Sequence, residues 1–312
     1  MSEKERSAEA EWKGELAVLA AACALLCLPV TSFAHKRMKP PIPEAPAVCA
    51  PVPRWRFSPT LAKNPYPHFR RPASPAGSRS AYGPLFVVEA ANAGEAGRIC
   101  DMAEQRYPMV LAELGLSTIT HRGRYPITVY SSEDEYRRKA RQPDASAGVA
   151  AGNAIYTFRQ EYLDVLLAHE LTHIALTERW GDRAFPWLSE GLACVVEERL
   201  SFRERELRRS TLRLLMTVGV MPRLDEMRNY LPGEPVTNDS MIRREQISSL
   251  VDYMLDNAGR ERLGAFIETL EERSVPAAFS IAMSDVWPDM RDLETEWTAW
   301  LWQAQHLDPA RE

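Results

Sequence analysis

His169-Glu170-Leu171-Thr172-His173 constrains this chain more than any other segment, because it makes one helix carry two imidazoles four residues apart. At that spacing the rings stand one above the other on one helical face and can reach a single metal ion. Glu170, between them, lies on the same side and is placed to act on a water rather than on the metal. Leu163, Leu167, Leu171 and Ile174 recur at helical spacing and give the helix an apolar face. A neighbouring stripe of Leu166, His169, Glu170, His173 and Thr177 sets the polar residues beside that face rather than opposite it. Polar groups at the edge of a buried face need partners, since burying them unpaired is costly. Those partners are either ordinary side chains, on a helix whose histidines only hydrogen-bond, or a metal.

Of six histidines, the other four (His35, His68, His121 and His306) are scattered, and a third ligand from a second helix would complete the site. Glu190 fits. It follows Pro186-Trp187-Leu188, a helix start in which proline is tolerated and a carboxylate is favoured by the helix dipole. Glu190 could serve that dipole alone. However, Leu188, Leu192, Val195 and Val196 form an apolar side, while Glu190, Cys194 and Glu197 fall at i, i+4 and i+7. A short turn at Trp180-Gly181-Asp182-Arg183 would fold this helix back antiparallel and bring Glu190 over the histidines. Three protein ligands with one position left open describe a catalytic zinc site.

The segments "LAHELTHIAL" and "FPWLSEGLACVVEE" resemble the gluzincin zinc peptidases, above all the peptidase MA-like group. Its members pair His-Glu-x-x-His with a Trp-Leu-x-Glu-Gly-x-Ala helix. The resemblance implies that His169, His173 and Glu190 hold one Zn2+ per chain and that Glu170 is the general base of peptide-bond hydrolysis. It also implies an α+β, zincin-like metallopeptidase domain: a small N-terminal sheet with helices, then a mostly helical C-terminal half. It extends over roughly residues 85–305, where "LVDYMLDNAGRERLGAFIETLEE" and "LETEWTAWL" look like the helical tail of such proteins. The implied partner is a peptide or protein substrate. Two departures matter. Many members carry an Asp four residues after the third ligand to orient a ligand histidine; here that place holds Cys194, leaving Glu197 or a backbone carbonyl to serve. The Gly-x-Met-Glu-Asn segment of zinc aminopeptidases is missing, and Ala150-Ala151-Gly152-Asn153 brings no carboxylate, which favours cleavage of internal bonds. Tyr253 and Tyr230 are both candidates for the tyrosine that many members set against the developing oxyanion. A non-catalytic zinc-binding envelope scaffold of the same fold, or a zinc hydrolase with a non-peptide substrate, remains an alternative.

The rest of the chain divides by composition. Residues 16–34 hold no charge; Pro29 ends the densest apolar run and Ser32-Phe33-Ala34 suits an export protease. Residues 1–34 therefore read as a signal peptide or, uncut, as a membrane anchor, and the protein as exported to the periplasm or cell envelope. Acidic residues ahead of the run and Lys36, Arg37 and Lys39 behind it run against the usual charge pattern. Residues 35–84 hold twelve of the 23 prolines and one acid, Glu44, which describes a basic linker. That linker is a spacer, a surface wrap, or an arm meeting anionic lipid or cell-wall polymer. With a net charge of −5, nucleic acid is not an expected partner. Residues 306–312 are a tail. Of five cysteines, Cys23 and Cys27 lie in the leader; Cys49, Cys100 and Cys194 allow at most one disulfide, with Cys194 read as a packed small residue. Strands are expected at 85–90 and 125–130, and residues 148–157 as either an edge strand that takes substrate by β-addition or an ordinary core strand. Helices are expected at 94–114, ending at Gly115, and at 133–141, 201–218, 247–257, 260–272 and 292–305.

Overall fold

The computed structural model describes residues 72–116, 123–140, 147–151, 153–181, 186–200, 212, 215, 217, 238–270 and 272–303. The expected leader, most of the expected linker, Cys49, Tyr230, the tail and nearly all of 201–218 lie outside the described residues; 212, 215 and 217 are helical. Among the described residues, no helix is long and apolar enough to cross a membrane.

Five strands make one mixed sheet: β1 (Arg79–Tyr82), β2 (Phe86–Ala90), β3 (Tyr125–Tyr130), β4 (Gly148–Ala151) and β5 (Ala154–Phe158). Their spatial order is β1-β2-β3-β5-β4. β2, β3 and β5 run parallel, with Phe86 opposite Tyr125 and Ile127 opposite Ile155; β1 and β4 pair antiparallel on the two edges. Parallel neighbours need a crossover, and α1 (Ala93–Glu113) supplies the one from β2 to β3. Asn92 starts α1 by accepting the Glu95 N–H, 2.9 Å away. Gly115 ends it at φ 71°, which lets Leu116 N–H reach back 2.7 Å to the Leu111 carbonyl.

Alternation along the strands sorts the side chains into two layers. Phe86, Val88, Tyr125, Ile127 and Ile155 join the main core with α1 and α3 (Leu163–Trp180). Tyr130, Val149 and Tyr156 point the other way and pack with Tyr136 of α2 (Glu133–Ala140) in a small second core. By the same alternation, Gly148 and Ala150 of β4 face α3. The chain after the sheet is helical: α3, α4 (Pro186–Leu200), α5 (Asn238–Thr269), α6 (Val275–Met283) and α7 (Met290–Gln303). The protein is therefore α+β, with a small mixed sheet followed by a mostly helical remainder. Trp297 and Leu301 of α7 are buried and Trp300 packs beside them.

Three expectations need correction. The sheet begins inside the stretch read as linker: Arg79–Tyr82 is already β1, because Ser80 and Ala81 pair with Glu89 and Val88 despite the flanking prolines. Residues 148–157 are not one edge strand but the hairpin β4–β5, in which β5 is interior and β4 alone is the edge. The helices expected at 247–257 and 260–272 are one span from Asn238, broken at Gly259, whose φ of 82° and ψ of 167° are not helical. That span starts well before 247, and α6 lies in a segment for which no helix was expected.

Helices α4 and α5 meet closely at Gly191. A Cβ there would stand 2.6 Å from Val251 Cγ2, 2.9 Å from Ile247 Cγ2 and 3.2 Å from the Ile247 carbonyl oxygen. Gly191→Ala is therefore expected to lower the urea midpoint, costing about 1–3 kcal/mol by overpacking. A wild-type midpoint would mean that α5 is not seated against α4 in this way.

Candidate metal centre

Helix α3 is buried on nearly every side through its middle, from Leu167 to Leu176, as befits a helix enclosed by sheet and neighbouring helices. His169 and Glu170 are buried with it, at 5 % and 4 % exposure. The partners they need come chiefly from α4. His173 meets Ser189 and Glu190, and His169 meets Glu190 and then Glu197, so the two helices run antiparallel as the sequence spacing implied.

The distances define a three-donor cluster. His169 Nε2 and His173 Nε2 are 3.2 Å apart, His169 Nε2 is 3.5 Å from Glu190 Oε1, and His173 Nε2 is 3.5 Å from Glu190 Oε2. Donors held 2.0–2.1 Å from a tetrahedral zinc stand about 3.4 Å from one another, so these separations fit that ion. The outward nitrogens are tied down as well. His169 Nδ1 lies 3.0 Å from Glu197 Oε2, and His173 Nδ1 lies 3.0 Å from Ser189 Oγ. With hydrogens on both Nδ1 atoms, the bare Nε2 lone pairs converge with a carboxylate, an arrangement that a shared cation relieves. Among the described residues, a second group of potential ligand atoms, His169, Cys194 and Glu197, overlaps the first through His169. The Cys194 thiol is buried and free, 3.9 Å from Glu190 Oε1, and Cys100 is also free.

Electrostatics follows from the packing. Burial alone would raise the Glu190 carboxyl, but His169, hydrogen bonds from both histidines and the Arg244 guanidinium hold it well below the ordinary range. Burial likewise opposes a charged His169, and Glu190, Cys194 and Glu197 override it, holding this imidazole well above its usual value. Burial pushes Glu170 up, against the pull of the two histidines, and a backbone hydrogen bond from Ala150 of β4 steadies it. The edge strand passes directly over this carboxylate: a Cβ on Gly148 would stand 3.1 Å from Glu170 Oε1.

The four residues expected at the site, His169, Glu170, His173 and Glu190, come together on α3 and α4. Glu197 takes the orienting place that the departure at Cys194 had left open. Tyr253 does not join them: its hydroxyl bonds Glu296 at 3.2 Å and its ring packs on Trp287 and Trp300, so it belongs to the C-terminal aromatic cluster. Two residues were missed. Ser189 gave a weak signal, as a small hydroxyl next to a proposed ligand. Arg244 gave none, since Arg243-Arg244-Glu245 reads as a solvated charged face ahead of the helix expected from 247. It sits 3.0 Å from Glu190 Oε1 and 3.3 Å from Cys194 Sγ through Nε, and 3.6 Å from Glu197 Oε2 through Nη2. No protein-family model matches the chain, and no curated protein is significantly similar to it.

The raised pKa of His169 fixes the sign of a pH effect. Near neutrality the metal-free imidazole holds a proton that a metal must displace, while Glu190, its pKa depressed, stays ionised throughout that window. Zinc binding should release a proton, and apparent affinity should rise with pH until the raised pKa of His169 is passed. Titration calorimetry at pH 7 in two buffers of different ionisation enthalpy reads that proton directly. Equal heats in both buffers would contradict it.

Proposed function

We propose that this chain is an exported, zinc-dependent metallopeptidase with a zincin-like domain of gluzincin type, hydrolysing internal peptide bonds. The observation that carries the proposal is the set of donor separations among His169, His173 and Glu190, which suit a tetrahedral ion, with Glu170 buried beside them. Those three residues would hold one zinc. When bound, it supplies a Lewis acid that acidifies a water and polarises a carbonyl.

The protein's own groups account for the remaining chemistry. Glu170 accepts a proton from the attacking water and returns it to the leaving amine as the C–N bond breaks. Its burial raises its proton affinity and suits it to a base that must also act as an acid. Glu197 and Ser189 fix the ring orientations of His169 and His173, so the two Nε2 atoms stay aimed at one point. β4 ends the sheet next to Glu170, and its outer edge can add an extended peptide as a further strand. Gly148 and Ala150, without long side chains, let β4 lie directly against Glu170. The strand carries no carboxylate for a free substrate amine, which supports cleavage within a chain rather than at its N-terminus. Export rests on residues 16–34, which lie outside the described residues.

Glu170→Gln separates the enzyme from a zinc-holding scaffold of the same fold. The variant should keep one zinc per chain while cleavage of a mixed peptide pool falls about 10²–10⁴-fold, the usual contribution of a general base. A wild type that binds no zinc would sink the proposal, and one that binds zinc but cleaves no peptide would favour the scaffold or a non-peptide substrate. Glu190→Ala should lose stoichiometric zinc on dialysis; retention would remove Glu190 from the ligand set.

A further inference from the structure

We propose that Arg244 is a positioning residue of the metal centre: its guanidinium pairs with both Glu190 and Glu197 and holds the ligand carboxylate and the carboxylate that orients His169 in one fixed arrangement. The inference rests on the zinc reading above.

Arg244 approaches from α5, an element that supplies no ligand. Its Nε lies 3.0 Å from Glu190 Oε1, and its Nη2 lies 3.6 Å from Glu197 Oε2. The guanidinium therefore spans the ligand carboxylate and the carboxylate that orients His169. A lysine ammonium of equal charge has no planar fork with which to hold both. The two Glu190 oxygens have different surroundings: Oε1 forms an ion pair with Arg244 at 3.0 Å and lies 3.5 Å from His169 Nε2, while Oε2 lies 3.5 Å from His173 Nε2. A carboxylate paired in this way with a cation that also holds Glu197 keeps a fixed orientation toward the two histidines.

Local packing is shaped for this contact. Gly191, next to Glu190, lets α5 approach α4 to within contact of the backbone. Cys194, where a larger side chain would block the path, leaves room for the guanidinium 3.3 Å from its sulfur. Charge gives the same answer. Glu170, Glu190 and Glu197 are three carboxylates in one cluster, and a divalent cation together with Arg244 brings them to neutrality. Without the arginine, a bound site would carry an unbalanced negative charge in a place largely closed to water.

The test measures zinc affinity by chelator competition and the visible absorption of the Co2+-substituted protein, for wild type, Arg244→Gln and Arg244→Lys. Both variants should bind zinc about 10–100-fold more weakly, the usual effect of removing a residue that orients ligands. Their cobalt bands should shift as Glu190 and Glu197 lose their fixed orientation. Failure of lysine to restore the wild-type values separates positioning from charge. Wild-type affinity and spectrum in both variants would overturn the inference while leaving the zinc reading intact. So would tighter zinc binding by Arg244→Gln with wild-type behaviour in Arg244→Lys, the pattern of simple charge repulsion. A wild type that takes up no zinc would remove both. If Arg244→Gln fails to show a cooperative unfolding transition, the lysine variant decides the matter alone.

Discussion

Ionisable groups buried at the centre of a helical core set the terms for the rest of this structure. His169 and Glu170 occupy positions on α3 that the surrounding leucines and alanines would otherwise make wholly apolar. Each such group costs free energy unless it is paired. The second helix of the hairpin answers that demand residue by residue, with Ser189 and Glu190 for His173, and Glu190 and Glu197 for His169. The antiparallel register of α3 and α4 is therefore fixed by polar contacts as well as by apolar packing, because a shift of one turn would strand several charges at once.

The sheet depends on the same helix from its other side. Ile127 and Ile155 pack in the core that α3 shares, and the alternation of β4 then obliges Gly148 and Ala150 to face Glu170. The residue between the histidines thus sits between a helix that positions it and the edge strand of the sheet. This follows from a period of two on the strand meeting a period of 3.6 on the helix. It requires small side chains where the two elements cross, and β4 has them.

What was legible in the sequence was what local periodicity encodes. The helices α1, α3 and α4, the strands β2 and β3, and the grouping of His169, Glu170, His173 and Glu190 all follow from spacing within short windows. What was not legible depended on distant partners. β1 is a strand because β2 offers it an edge, not because its residues favour one. The division of 148–157 into a hairpin required knowing that β5 inserts next to β3. Arg244 was invisible because it is separated from Glu190 by more than fifty residues and flanked by charges that ordinarily mark a solvated face.

The departure at position 194 is the point where these observations connect. The resemblance implies a short acid there, one turn after Glu190, bonded to a ligand histidine. In this protein the acid stands at Glu197, nearly another turn along, and its longer side chain spans the added distance to His169 Nδ1. With the carboxylate at 197, position 194 holds a small side chain, and the guanidinium of Arg244 passes over that sulfur to Glu190. A short acid at 194 would draw the arginine to itself and away from the ligand. Cys194, Glu197 and Arg244 therefore form one arrangement, in which a small residue at 194 lets a single guanidinium reach both carboxylates.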